Sequence, residues 1–99
     1  MFTGDKISAK EAETVNMIYK CVSEEEFQSF ITTLSQKLAL MPTRALGLTK
    51  KAVNKSLSND LTNQLDLEER LQTEAGKTED FQEGVQAFLD KRKAKFKGK

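Results

Sequence analysis

The sequence has no histidine and no tryptophan, and only one cysteine and one proline in 99 residues. Without an imidazole, Ser-His-Asp and Cys-His catalysis, histidine metal ligation and a histidine pH switch are excluded within this chain. Cys21 by itself can form neither an internal disulfide nor a thiolate cluster for zinc, and its isolation fits a reducing compartment. No apolar run approaches the ~20 residues of a membrane span, and the first ten residues lack the charged-then-apolar order of a signal peptide. The expectation is a cytoplasmic protein with no metal site and no membrane attachment. A phosphate-cradling loop is also missing, because Thr3-Gly4-Asp5 offers a single glycine without the flanking strand and helix.

Charge of one sign is scarce only in places. The formal net charge is +1, yet residues 1–90 hold 10 Lys and Arg against 15 Asp and Glu, a net −5, while residues 91–99 hold six cations and no acid. An acidic body carries a cationic tail.

Helical periodicity fills the body. Ser8 and Glu11 have capping-box spacing and open a short helix over 9–15, which Asn16 can end because asparagine tolerates the left-handed conformation. Met17 to Val22 is too apolar and β-branched for a loop and reads as a short extended connector or edge strand with no partner strand. Ser23 and Glu26 repeat the capping spacing. Behind them Phe27, Phe30, Ile31, Leu34 and Leu38 form one helical stripe. Pro42 is placed to be the first residue of the next helix, whose apolar face is Ala45, Leu48, Ala52, Val53 and Leu57. From Leu61, the apolar positions 65, 67, 71 and 75 spread over about 160° of helix surface and call for neighbours on two sides. Thr78 caps a last helix with Glu79 and Asp80 in its first turn. Phe81, Val85, Phe88 and Leu89 are its expected buried face, with Gly84 allowing close approach of another backbone. The fold class is therefore all-α, about five helices with one short extended connector, and residues 1–99 read as a single helical domain.

Few residues can carry chemistry. The acids around Glu68, Glu69, Glu74 and Glu83 resemble a solvated face, and Cys21 lacks a base to activate it; no catalytic residue is assigned. The tail is different. Lys91 and Arg92 lie three and four residues after Phe88, so an aromatic face and cations could project together, stacking a purine and neutralising phosphates. The competing reading is a solvated tail whose charges complement the helix dipole, with Phe88 in the core.

Several segments together resemble a known family. Residues 2–12, beginning Phe2-Thr3-Gly4 and continuing through Ala9-Lys10-Glu11-Ala12, followed by the apolar 17–22, are similar to the Thr-Gly, Ala-x-Glu-Ala region of the crotonase family, the enoyl-CoA hydratases and isomerases. Pro42 to Leu46 with Thr49-Lys50 resembles a helix start of that family. Asp80-Phe81-Gln82-Glu83-Gly84, then Ala87-Phe88 and Lys91-Arg92, is similar to its carboxyl-terminal signature. Within the family, Leu65 to Glu68 with Gln72 and Ala75-Gly76 is most similar to the ring-epoxide isomerases of phenylacetate catabolism.

The resemblance implies a carboxyl-terminal helical subdomain that lacks the catalytic ββα core and is inactive alone. It also implies a homo-oligomer, trimer-based in the family, an acyl-CoA substrate partner, and no cofactor beyond the CoA that is part of the substrate. It assigns CoA contact to Phe88 and Lys91, with Arg92 among the basic neighbours. The alternative is a non-enzymatic helical interaction module whose tail binds nucleic acid or an acidic partner.

Overall fold

A computed structural model describes residues 4–99; Phe2 and Thr3 of the amino-terminal motif lie outside the described residues. Five helices follow in order: α1 (Ala9–Thr14), α2 (Glu24–Ala39), α3 (Thr43–Ser56), α4 (Leu61–Gly76) and α5 (Glu79–Leu89). There is no strand among the described residues, and 17–22 is an irregular connector. The all-α class with five helices is therefore observed. Two compact units divide the chain, Met1–Leu34 and Ser35–Lys99.

In the first unit, α1 is fixed at both ends by local chemistry. Ser8 Oγ accepts from the Glu11 amide while the Glu11 carboxylate accepts from the Ser8 amide at 2.8 Å, a complete capping box. The Ser8 amide, and next the Ser8 hydroxyl, donate to the Glu11 carboxylate and hold its carboxyl below its ordinary range. At the other end Asn16 adopts φ +56. The Met17 amide then reaches the Ala12 carbonyl at 2.8 Å and the Asn16 amide reaches Glu13, the bond pair of a Schellman motif. Glu13 folds the connector back over α1, since its carboxylate accepts from Lys20 Nζ and from the Cys21 amide. The Lys20 hydrogen bond, then that of Cys21, holds its carboxyl low. Ser23 caps α2 through the Glu26 amide. The expected stripe of α2 is not buried: Phe27, Ile31 and Leu38 are exposed.

In the second unit, α3 and α4 pack antiparallel. Arg44 at the start of α3 pairs with Glu74 near the end of α4 at 3.0 Å. Further along, the Gln64 side chain donates to the Ala52 carbonyl. Pro42 is the N-cap of α3, one residue earlier than expected, and its carbonyl accepts the first helical bond from Leu46. Having no side-chain oxygen, it contributes no cap bond beyond that. Asp60 caps α4 by accepting from the Asn63 amide at 2.8 Å. Thr78 joins α4 to α5, donating to the Ala75 carbonyl and accepting from the Phe81 amide.

Candidate functional site

Helix α5 has two faces, and the buried one is not the apolar one. Asp80 and Ala87 are buried at 3% and 2% exposure. At 100° per residue, Asp80, Gly84 and Ala87 share one side of the helix. Phe81, Val85, Phe88 and Leu89, the expected buried face, are all exposed, Phe88 by 83%. This stripe sits about 120° around the helix from the buried side. The reason is the course of the last nine residues, which return along α5 and occupy the side that a core would otherwise take.

That return is built from backbone bonds to two acids. The buried Asp80 carboxylate accepts from the Lys97 amide at 2.6 Å and from the Gly98 amide at 2.8 Å, and the Asp80 amide donates to the Lys99 carbonyl. Glu83 accepts from the Lys95 amide at 2.8 Å and from both terminal nitrogens of Arg92 at 2.7 and 2.9 Å. The Arg92 fork, and next the Lys95 amide, holds the Glu83 carboxyl down at about 2. Reciprocally, the guanidinium of Arg92 is held above its ordinary range. Along the returning segment Lys93, Lys95, Lys97 and Lys99 are exposed, whereas Ala94, Phe96 and Gly98 are half-buried. That is the period-two alternation of an extended chain with one face inward. The Phe96 ring lies over Gly84, where a β-carbon would stand 3.5 Å from it. The close approach expected at Gly84 is made by a side chain and not by a backbone.

Between the helices of this unit lies an open apolar groove of about 420 Å³, walled by Pro42 and Ala45 of the α3 start, by Phe81 and Phe88 of α5, and by Phe96. At the carboxyl end of α5 the helix stops at Leu89, so Lys91 and Arg92 do not continue its register as their spacing had implied. Lys91 takes φ +54. Its amide donates to the Phe88 carbonyl at 3.2 Å and the Arg92 amide to Ala87 at 3.0 Å, a second Schellman motif with lysine where glycine is usual. The left-handed backbone costs a lysine about 1 kcal/mol or more.

The three residues assigned from sequence therefore separate. Phe88 is exposed on the groove, and Lys91 is exposed, tied to it by that backbone bond and without an ion pair among the described residues. Arg92 is turned away, its fork on Glu83 and its Nε on Asp90 at 3.2 Å. Glu83, expected on a solvated face, and Asp80, expected only as a first-turn acid, instead anchor the tail, together with Phe96. The alternation of lysine with Ala94, Phe96 and Gly98 was the signal for them. No cluster among the described residues could hold a metal ion, and no described helix is long and apolar enough to cross a membrane. Chemically the site can offer an aromatic wall and a free cation.

The profile of the enoyl-CoA hydratase/isomerase family matches residues 1–99. The chain is 43% identical over 96 residues to the 1,2-epoxyphenylacetyl-CoA isomerase of Escherichia coli K12, covering 97% of this chain and 37% of that protein. It is 30% identical over 96 residues to the crotonyl-CoA hydratase of Syntrophomonas wolfei, covering 97% and 37%. Among solved structures, an enoyl-CoA hydratase subunit I of Geobacillus kaustophilus superposes with a TM-score of 0.90 at 38% identity, covering 99% of this chain and 38% of that one. An enoyl-CoA hydratase of Bacillus anthracis gives 0.84 at 30%, covering 99% and 38%. The chain thus spans less than two fifths of the length of these proteins.

Proposed function

The chain belongs to the enoyl-CoA hydratase/isomerase family, and we propose that it is the helical, CoA-contacting and oligomerising part of an enzyme acting on acyl-CoA thioesters. One observation carries the CoA reading. Phe88 is exposed on an apolar groove and is followed by a lysine whose cation has no ion pair among the described residues. An adenine stacked on Phe88 and a phosphate on the Lys91 ammonium would each contribute about 2 kcal/mol, together a Kd on the order of 1 mM. Arg92 serves this site by holding the chain and leaves the phosphate contact to Lys91.

Within such an enzyme the reaction would pass through a thioester enolate stabilised by preorganised donors. No residue here is assigned to that step, so the chain alone is expected to leave crotonoyl-CoA unchanged. Identity to an epoxyphenylacetyl-CoA isomerase supports a place in phenylacetate degradation. A cytoplasmic location is part of the same reading, supported by the single unpaired Cys21. A homo-oligomer is supported by the exposed apolar faces of α2 and α5, since large exposed apolar patches mark contact surfaces. A nucleic-acid tail has less in its favour, because Arg92 is already committed to Glu83.

The test is an NMR titration of the chain with coenzyme A and, separately, with pantetheine. CoA should shift the Phe88 and Lys91 signals with a millimolar Kd, pantetheine should bind at least tenfold more weakly, and Lys91→Glu should abolish the difference. Equal response to both ligands would overturn the CoA reading.

A further inference from the structure

We propose that Glu83 is the positioning residue for Lys91. The inference rests on the reading that Lys91 meets the CoA phosphates, and deepens it by naming what aims that lysine.

A non-glycine residue stays in the left-handed region only where its surroundings over-determine it. At Lys91 the upstream side is fixed by the two Schellman bonds to Phe88 and Ala87. The downstream side is fixed nearest the turn by Glu83, while Asp80 anchors the chain further on. Glu83 grips the Arg92 fork through both oxygens and takes the Lys95 amide on one of them. It thereby ties the first and fourth residues after Lys91 to the middle of α5. Asp90 occupies the remaining Nε of Arg92. All three nitrogens of the guanidinium are used within the chain, and Lys91, the other cation of the turn, has no ion pair among the described residues. With Glu83 removed, only the Schellman bonds and the Arg92–Asp90 contact would remain at the turn, and Lys91 could relax to an ordinary backbone and carry its ammonium to a different position.

Positioning and plain electrostatics predict opposite signs. Glu83 is an acid close to a site for a polyanion, so neutralising it should strengthen CoA binding if charge alone matters. If Glu83 positions Lys91, neutralising it should weaken binding, because the competent backbone becomes a fraction of the ensemble and the apparent Kd rises by that fraction.

The experiment compares the unmodified chain with Glu83→Gln and Arg92→Lys. Arg92→Lys keeps the charge but not the fork, and it serves alone should Glu83→Gln unfold by circular dichroism. Two readouts are taken by NMR: the Kd for coenzyme A, and the backbone torsion of Lys91 from its amide-to-α-proton coupling and chemical shifts. Both variants should raise the Kd about five- to tenfold and lose the left-handed signature of Lys91. Unchanged or tighter CoA binding by either variant overturns the proposal while leaving the CoA reading intact. A chain that does not respond to CoA at all overturns that reading. The torsion readout then decides the remaining claim, and a Lys91 that stays left-handed in both variants overturns it.

Discussion

Replacing Gly98 by alanine tests whether the returning tail is a docked element. Gly98 has φ +77, and a β-carbon there would lie 2.5 Å from Thr43 Oγ1. Two costs follow. The left-handed backbone costs alanine about 1 kcal/mol relative to glycine, and relieving the overlap costs roughly 1 to 2 kcal/mol more in a packed contact. The total, about 2 to 3 kcal/mol, should act on docking of the tail and leave the helices formed. It would appear as roughly a 30- to 150-fold fall in hydrogen-exchange protection of the Lys97 and Gly98 amides, the two that donate to Asp80. The costs can be separated. In Thr43→Ala combined with Gly98→Ala the obstructing oxygen is gone, and the next atom, the residue 43 β-carbon, stands at 3.9 Å in ordinary contact. The double variant should therefore regain about half the loss and keep the backbone part. Protection unchanged in Gly98→Ala would refute the docked tail, and an absence of recovery in the double variant would refute the role of Thr43.

At Gly84 a β-carbon meets Phe96 at an ordinary 3.5 Å, so Gly84→Ala should stabilise the unit by about 1 kcal/mol through helix propensity, read as a higher urea midpoint at constant slope. Asp80→Asn puts an amide where two backbone N–H groups converge and should cost about 2 kcal/mol, with exchange at Lys97 and Gly98 accelerating first. Acid should loosen the turn at Lys91. The Glu83 carboxyl sits at about 2 against an ordinary 4.5, so its contribution is complete above about 4.5 and is lost as pH falls toward 2. The Arg92 Nη resonances, which belong to the nitrogens that meet Glu83, followed over that range, should move to their unstructured position, and a flat response would contradict the pairing.

The parts of the fold legible in the sequence are those decided within a few residues. Ser8 with Glu11, Asn16 and Thr78 act through neighbours three or four positions away, and each sits where its chemistry requires. Pro42 stands one residue earlier than its spacing suggests, at the N-cap, where its missing N–H likewise leaves no helical bond unmade. The facing of α5 was not legible. Its apolar stripe has helical period, and period alone names a face without saying what covers it. What covers the other face is set by bonds between residues 9 to 19 positions apart in sequence, Glu83 to Arg92 and Asp80 to the Lys97–Lys99 segment. The candidate site was legible as a pair, Phe88 and Lys91, though for an incomplete reason. Helical spacing suggested their proximity, whereas the structure joins them through a helix-terminating turn.

Only Ala12, Leu71 and Ala87 are buried apolar side chains among the described residues. Heat-capacity change on unfolding scales with the apolar surface newly exposed to water, and here that surface is small. The stability of the chain by itself should therefore vary little with temperature, giving a broad, shallow curve and a gradual calorimetric transition. Covering the exposed faces with the remainder of a family enzyme, or with another copy, would steepen that curve, so calorimetry senses whether the faces are covered.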